Sequence, residues 1–319
     1  MWYPIDNGIF ITGARDGQVL VWDANALAVA GVFSLGTRAT TGASSTITSA
    51  PIPVHAMAMS PISSSHCLIA VGSDESDVLL CDIQSGGFSH RLSGHRAPVW
   101  GLAWSVTNEW ELSTGGRDGQ IRVWDVRRAG TRAILDMNAT KTRSLVHTGS
   151  QFPPPPPPQQ GLHGNNNHVR SHDGGITGLI PSPDGLFLIS AGNDDRIRLW
   201  DGKRRRHELI HYNNTYNRAN KPRQLGISDD GEVLFHPSGS AVQVFHVTRG
   251  GDAVTTLTGG HFETINACCW NGVQEELYTA GNDHTIVVWD TASSHSGRGA
   301  VGGGGGGGDD DDDADAWSD

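Results

Sequence analysis

Thr114-Gly115-Gly116-Arg117-Asp118-Gly119-Gln120-Ile121-Arg122-Val123-Trp124-Asp125 decides the fold, because its pattern returns without a gap at Thr12–Asp23, Ser190–Asp201 and Thr279–Asp290. Two weaker copies end at Cys81-Asp82 and Phe245-His246. The aromatic-or-Cys position falls at residues 22, 81, 124, 200, 245 and 289, so the spacings are 59, 43, 76, 45 and 44. Three of the five match a structural repeat of about 40–45 residues. The two long spacings hold insertions of distinct composition. Residues 36–50 are rich in Ser, Thr, Ala and Gly, and residues 136–170 carry six consecutive prolines, Pro153 to Pro158. Both read as exposed, irregular loops, the proline run as polyproline II.

Inside each unit the pattern is that of strands. Ile121-Arg122-Val123-Trp124 and Ile197-Arg198-Leu199-Trp200 alternate at period two, which puts one face inward. Arg-Asp-Gly and Asp-Gly-Leu mark tight turns between such runs. Residues 97–105, 176–181 and 264–270 read as the strands that precede them. No stretch holds a helical period. One four-stranded sheet cannot cover both of its faces, whereas sheets stacked radially cover one another and leave only short edges. The expectation is an all-β propeller over residues 1–292, followed by a disordered Gly-rich linker and acidic tail at 293–319.

Charge and cysteine content narrow the function classes. Lys and Arg number 23 against 34 Asp and Glu, a formal charge of −11. Seven of those Asp lie within Asp309–Asp319; without them the charge is −4. Phosphate binding needs clustered positive charge, so direct nucleic-acid binding is not expected. Cys67, Cys81, Cys268 and Cys269 include no Cys-x-x-Cys pair and no His at zinc-finger spacing, which argues against a structural metal. No secretory apolar region opens the chain and no apolar run reaches about 18 residues, so the composition reads as a soluble intracellular protein. The run Gly302 to Gly308 lacks the Lys-Ser/Thr of a phosphate loop and reads as a linker. No cofactor is expected.

These units resemble the WD-repeat family over residues 1 to about 292. That family closes most often with seven blades. Six units are visible here, the first of them incomplete, and Trp2-Tyr3-Pro4 resembles the close of an inner strand, as in Trp104-Ser105. The expectation is that a preceding segment of up to two blades is missing from this sequence. The resemblance implies an intrablade network of His, Ser/Thr, Asp and Trp. The matching sets are His95, Thr114, Asp118, Trp124; His172, Ser190, Asp194, Trp200; and His261, Thr279, Asp283, Trp289. The first unit keeps Thr12, Asp16 and Trp22. Three copies of one Ser/Thr–His–Asp arrangement argue for architecture, not for a catalytic triad, because a nucleophile must also face a substrate pocket.

More local stretches resemble the Cockayne syndrome group A family. They include Met59-Ser60-Pro61-Ile62-Ser63, His66 to Gly72, Leu92-Ser93-Gly94-His95-Arg96, Cys268-Cys269-Trp270 and Asp315-Ala316-Trp317-Ser318. The two insertions and the glycine run depart from it. The resemblance implies a non-catalytic, nuclear substrate receptor of a cullin–RING ubiquitin ligase acting in transcription-coupled nucleotide-excision repair. It further implies a damage-binding adaptor, the Cockayne syndrome group B ATPase and stalled RNA polymerase II as partners, with no membrane. Leu112 to Arg127 resembles the box of adaptor-binding WD proteins, with Asp125 and Arg127 at the contact positions. Arg127 either meets an acidic group on the adaptor or caps its own blade. The family's helical adaptor-binding segment before the propeller has no counterpart here. Family geometry points Arg15, Arg117, Asn193 and Asn282 onto the narrower face, with Trp100 in the same blade as Arg117. Trp and Arg are frequent binding hot spots, so Trp100 and Arg117 are expected in a partner site, unless Trp100 packs between blades. Lys203-Arg204-Arg205-Arg206-His207 reads either as a localisation or phosphate patch or as a solvated face. The second reading of the whole chain is a WD-repeat scaffold for a chromatin or RNA-processing complex, without a ligase role.

Overall fold

The computed structural model describes residues 1–4, 7–41, 47–128, 130–139 and 169–290, and these form strands and turns with no helix among them. The first sheet runs β1 (Ile9–Gly13), β2 (Gln18–Asp23) and β3 (Ala28–Ser34), with Trp2 bridging antiparallel to Phe10 ahead of them. A hairpin, β4 (Thr37–Thr41) and β5 (Ile47–Pro51), follows. The second sheet is β6 (Val54–Met59), β7 (Leu68–Ser73), β8 (Val78–Asp82) and β9 (Gly87–Leu92). The third is β10 (Val99–Trp104), β11 (Glu111–Gly116), β12 (Ile121–Asp125) and β13 (Gly130–Ile134). The fourth is β14 (Ile176–Pro181), β15 (Phe187–Gly192), β16 (Arg196–Asp201) and β17 (His207–Glu208). The fifth is β18 (Gly226–Ile227), β19 (Val233–Ser238), β20 (Ala241–His246) and β21 (Thr255–Leu257). The sixth is β22 (Ile265–Asn271), β23 (Glu276–Gly281) and β24 (Ile286–Asp290). Each sheet is an antiparallel meander in chain order, as short hairpin turns dictate.

The sheets are held face to face by the apolar residues of the period-two pattern. Ile11, Val19 and Val21 of the first sheet meet Ile69, Val71 and Cys81 of the second. Leu80 and Leu92 meet Leu112 and Trp124. Ile121 and Val123 meet Ile176 and Trp200. Ile189 and Leu199 meet Leu234 and Phe245, and Val242 meets Ile265 and Cys268. Trp124, Trp200 and Phe245 have no exposed surface, so the stacking seals the signature aromatics of the third, fourth and fifth sheets, while Trp22 and Trp289 stay partly exposed. Close approach needs small residues at the seams. A Cβ on Gly115 would lie 2.6 Å from Ile176 Cγ2, inside any real contact distance. On the sixth sheet Ile286 and Val288 are exposed, and no described strand pairs with the outer edge of β24.

The turn after the second strand is the same in all four strong units. Gly17 and Gly119 have φ near +77°, and Asp195 and His284 take φ of 57° and 61° at the equivalent position. The turn demands the left-handed region, which glycine enters freely and Asp tolerates better than most residues.

The 36–50 insertion differs from the expected irregular loop. Thr37–Thr41 pairs with Ile47–Pro51 in register, Thr37 opposite Pro51 and Thr41 opposite Ile47. Thr37, Thr40, Thr41, Ile47 and Thr48 are β-branched, and that content outweighs the low-complexity appearance. Residues 140–168, with the proline run, and residues 291–319 lie outside the described residues. The ends of the longer insertion are tied together, since Met137 N–H donates to Arg170 O at 3.0 Å.

Candidate functional site

The three sets singled out in the sequence each form one connected chain of hydrogen bonds. In the third sheet Trp124 Nε1 donates to Thr114 Oγ1 at 2.8 Å, and Thr114 Oγ1 lies 2.7 Å from His95 Nε2. His95 Nδ1 lies 3.0 and 3.1 Å from the two oxygens of Asp118, which also accept from the Arg96 and Gln120 backbone N–H groups. A carboxylate only accepts, so the proton order runs Trp124 to Thr114 to His95 to Asp118 with every donor matched. The fourth sheet repeats this with Trp200, Ser190, His172 and Asp194, and the sixth with Trp289, Thr279, His261 and Asp283. The first keeps Trp22 to Thr12, at 2.8 Å, and the turn bond from Gln18 N–H to Asp16 Oδ1, at 2.9 Å, with no His between them. Burial alone raises the Asp118 carboxyl, but the bonds and charge from His95 outweigh it and hold the group below its usual range. The same opposition holds Asp194 and Asp283 low, with Arg198 adding its charge at Asp194. Burial pushes His172 down despite Asp194 beside it, so its ring is neutral near pH 7. These hydroxyls are consumed inside the blade, and none faces a substrate. Among the described residues no cluster of three metal-ligating side chains occurs.

The end of the sheets that carries these networks presents a second, more exposed pattern. The inner strand of four sheets has a one-residue bulge, at His55, Trp100, Thr177 and Asn266. A bulge re-aims the extra side chain. In three sheets it meets the turn residue just beyond the second strand. His55 Nε2 lies 2.6 Å from Asp74 Oδ1, Arg117 Cζ sits 5.6 Å from the Trp100 ring centroid, and Asn266 Nδ2 donates to Asn282 Oδ1 at 2.8 Å. Asn282 also accepts from Lys221 Nζ and donates to Thr264 Oγ1, both at 2.8 Å. Burial, with the charges of Arg223 and Arg15, lowers Lys221, which places Arg15 near this cluster. Arg15, Arg117 and Asn282 are exposed, and Asn193 is half-buried with its N–H on Gly175 O. Trp100 corrects the sequence expectation: it is only 6% exposed, packed beneath Arg117, so it supports the rim instead of meeting a partner. His55 and Asp74 escaped the sequence reading because their unit lacks the Trp and the tetrad. The offset that found Arg117, applied to the copy ending at Cys81-Asp82, lands on Asp74.

At the opposite end, Asp125 and Arg127 are joined to each other. Arg127 Nε donates to Asp125 Oδ1 at 2.9 Å and Nη2 to Oδ2 at 2.8 Å. Those paired bonds hold Asp125 below and Arg127 above their usual ranges. Of the two sequence candidates, Asp125 is buried with both oxygens engaged, so it holds Arg127 in place and does not itself face outward. The Arg127 side chain remains 52% exposed, its guanidinium 5.4 Å from the Trp110 ring centroid. His66 fixes that neighbourhood, with Nε2 2.8 Å from Glu109 O and its ring against both Trp104 and Trp110. Glu109 and Trp110 extend the surface and were not singled out in the sequence, where they carry no repeat signature.

The comparisons agree with this architecture. The family model described as WD domain, G-beta repeat matches residues 86–125, 165–201 and 251–290. The WD repeat-containing protein ATCSA-1 of Arabidopsis thaliana is 35% identical over 364 aligned residues, covering 100% of this chain and 76% of that protein. The chain belongs to the WD-repeat family. The anaphase-promoting complex subunit cdh1 of Dictyostelium discoideum is 30% identical over 156 residues, 43% of this chain but 19% of that protein. Among solved structures, the crystal structure of the mitotic checkpoint complex holds a chain with a TM-score of 0.64 and 20% identity, covering 92% of this chain and 73% of that one. That likeness shows the shared propeller fold. None of these matches indicates a catalytic family.

Proposed function

We propose that this WD-repeat chain is a non-catalytic substrate receptor of a cullin–RING ubiquitin ligase, acting in the nucleus in transcription-coupled nucleotide-excision repair. Likeness to ATCSA-1 along the whole chain supports the reading. Within the structure, the observation that carries it is the clasped Arg127, presented half-exposed over Trp110. A guanidinium held by a buried carboxylate is pre-organised, so a partner's acidic group meets it without the usual ordering cost. The Arg127 end takes the damage-binding adaptor, and the adaptor brings the cullin. The other rim, with Arg15, Asp74, Arg117, Asn193 and Asn282, takes the repair partners, the Cockayne syndrome group B ATPase and the stalled polymerase complex.

The test is co-purification of the chain from cells with the adaptor and cullin. Recovery of both, lost in Arg127→Ala while that variant still melts cooperatively as a folded chain, is the expected outcome. A folded chain, and a folded N-terminally extended version, that recover neither would overturn the ligase reading and leave a scaffold for a chromatin or RNA-processing complex.

A further inference from the structure

A cleft of about 260 Å³ opens at the Trp-Asp end of the seam between the third and fourth sheets. Its volume lies below the usual ~300–1,000 Å³ of small-molecule sites, and suits a single large side chain better than a whole ligand. Its wall is mixed: Trp104, Leu135, Leu188 and Trp200 form the floor, and Ser105, Thr107, Asn108 and Ser113 line it beside them. Its rim is cationic: Arg132, Lys203 and Arg205 face Glu111 and Asp201. Glu111 Oε2 accepts from Arg132 Nη1 at 3.2 Å and from Arg205 Nη2 at 2.7 Å, so one carboxylate serves two guanidiniums. Arg205 Nε is buried without a hydrogen-bond partner, which leaves one donor in the rim unused. Arg205 also sits at φ +54°, a left-handed conformation that a non-glycine residue keeps only where its surroundings fix it. Arg204 and Arg206, exposed beside it, add to the positive field.

The chain carries a segment of complementary chemistry. Asp309–Asp319 holds seven Asp, no Lys or Arg, and one aromatic, Trp317. The last described residue, Asp290, pairs with Glu276 as Asp125 pairs with Glu111 and Asp201 with Phe187. The chain therefore leaves the sheets at the same end as the cleft. From Asp290 to Trp317 is 27 residues, through Gly302 to Gly308. A stretch of 27 residues can reach at most about 90 Å, more than enough to cross a small domain.

We infer that the cleft between the third and fourth sheets is a docking site for the chain's own acidic segment, with Trp317 over the Trp104 and Trp200 floor, its indole N–H among the polar groups of the wall, and the flanking Asp carboxylates on Arg132 and Arg205. The aromatic supplies the burial and the carboxylates relieve the surplus of cations on Glu111. The inference concerns this end of the molecule alone and stands whether or not the ligase reading does.

The test uses the full chain with a photo-crosslinking phenylalanine analogue in place of Trp317. The expected products are crosslinks within one chain to residues 103–108, 185–188 or 200–205, weakened by high salt and by Arg132→Ser. Crosslinks spread over the surface, or joining two chains, would overturn the inference. Hydrogen exchange gives an independent readout without touching the sheets. Trp317→Ala in the full chain is expected to speed amide exchange in residues 104–111 and 201–206 at least about five-fold, as loss of a bound segment does. Unchanged exchange there would sink the proposal.

Discussion

Arg117 lies over the buried ring of Trp100, its Cζ 5.6 Å from the ring centroid, and the pair occupies the same two positions as His55 and Asp74 one sheet earlier. The rim is thus built from a repeated unit, a bulge side chain below and a turn side chain above, with chemistry that changes from sheet to sheet. A His–carboxylate hydrogen bond, a cation–π pair and an amide pair occupy these positions in the second, third and sixth sheets. Under the proposed function, a partner reads the upper members.

The two members of the Trp100–Arg117 pair predict different phenotypes. Trp100→Ala removes a side chain that is 6% exposed and is expected to cost about 3–5 kcal/mol of stability. Arg117→Ala removes an exposed group and is expected to stay within about 0.5 kcal/mol of wild type. Under the proposed function, Arg117→Ala nonetheless weakens capture of the repair partners. Denaturant unfolding of both variants, beside a pull-down of the folded one, checks this. Equal and small stability losses would contradict the buried placement of Trp100.

Much of this was legible in the sequence, for a physical reason. The Trp, the hydroxyl, the His and the Asp sit at fixed offsets because the strand register fixes them: Thr114 is two residues from Leu112, which faces Trp124. A repeated register leaves a repeated word. What the sequence did not disclose is whatever depends on which side chain lies on top. Trp100 looks like a hot spot until its burial is known, and Asp125 looks like a contact until both of its oxygens are seen on Arg127. The second and fifth sheets were faint because apolar residues replace their networks. Val71 and Phe235 stand where Thr114 stands, so packing does there what hydrogen bonds do elsewhere.

Arg127 is expected to be sensitive to shape as well as charge. Arg127→Lys keeps the cation but has no planar fork to span Asp125 Oδ1 and Oδ2. Adaptor capture is expected to fall with Lys nearly as far as with Ala, while both variants stay folded and lose no more than about 1–3 kcal/mol for the Asp125 oxygens left unmatched. Full capture by Arg127→Lys would mean that only the charge matters at this rim.

The networks predict a graded response to one substitution. Thr114→Val keeps the shape of a buried residue but strands Trp124 Nε1 and His95 Nε2, which both meet its hydroxyl. Leaving buried polar groups unmatched costs about 1–3 kcal/mol. Thr12→Val in the first sheet is expected to cost well under half of that, because its Trp22 bond is exposed and has no His behind it. The difference between the two midpoints in a denaturant titration measures the value of the completed network.

The last prediction concerns acid. His236 lies in β19, 1% exposed, and burial together with the nearby charge of Arg223 lowers it from its ordinary 6.5 to about 4. Protonation is therefore favoured in the unfolded chain, where the ring is hydrated. The stability that a neutral His236 preserves is complete above pH ~6.5 and is lost as pH falls toward 4. A shift of that size corresponds to on the order of 3 kcal/mol. Asp118, Asp194 and Asp283 are also lowered, but from the carboxylate range, so their contribution holds until pH drops below about 4 and is lost only beneath that. Two separate declines in stability are expected: an upper one set by His236, with buried His172 acting in the same direction, and a lower one set by the three carboxylates. His236→Gln removes the titrating ring and is expected to flatten the upper decline while leaving the lower one in place. Denaturant midpoints measured from pH 7.5 to 3 on both chains decide it, and an unchanged upper slope in His236→Gln would assign that decline to other groups.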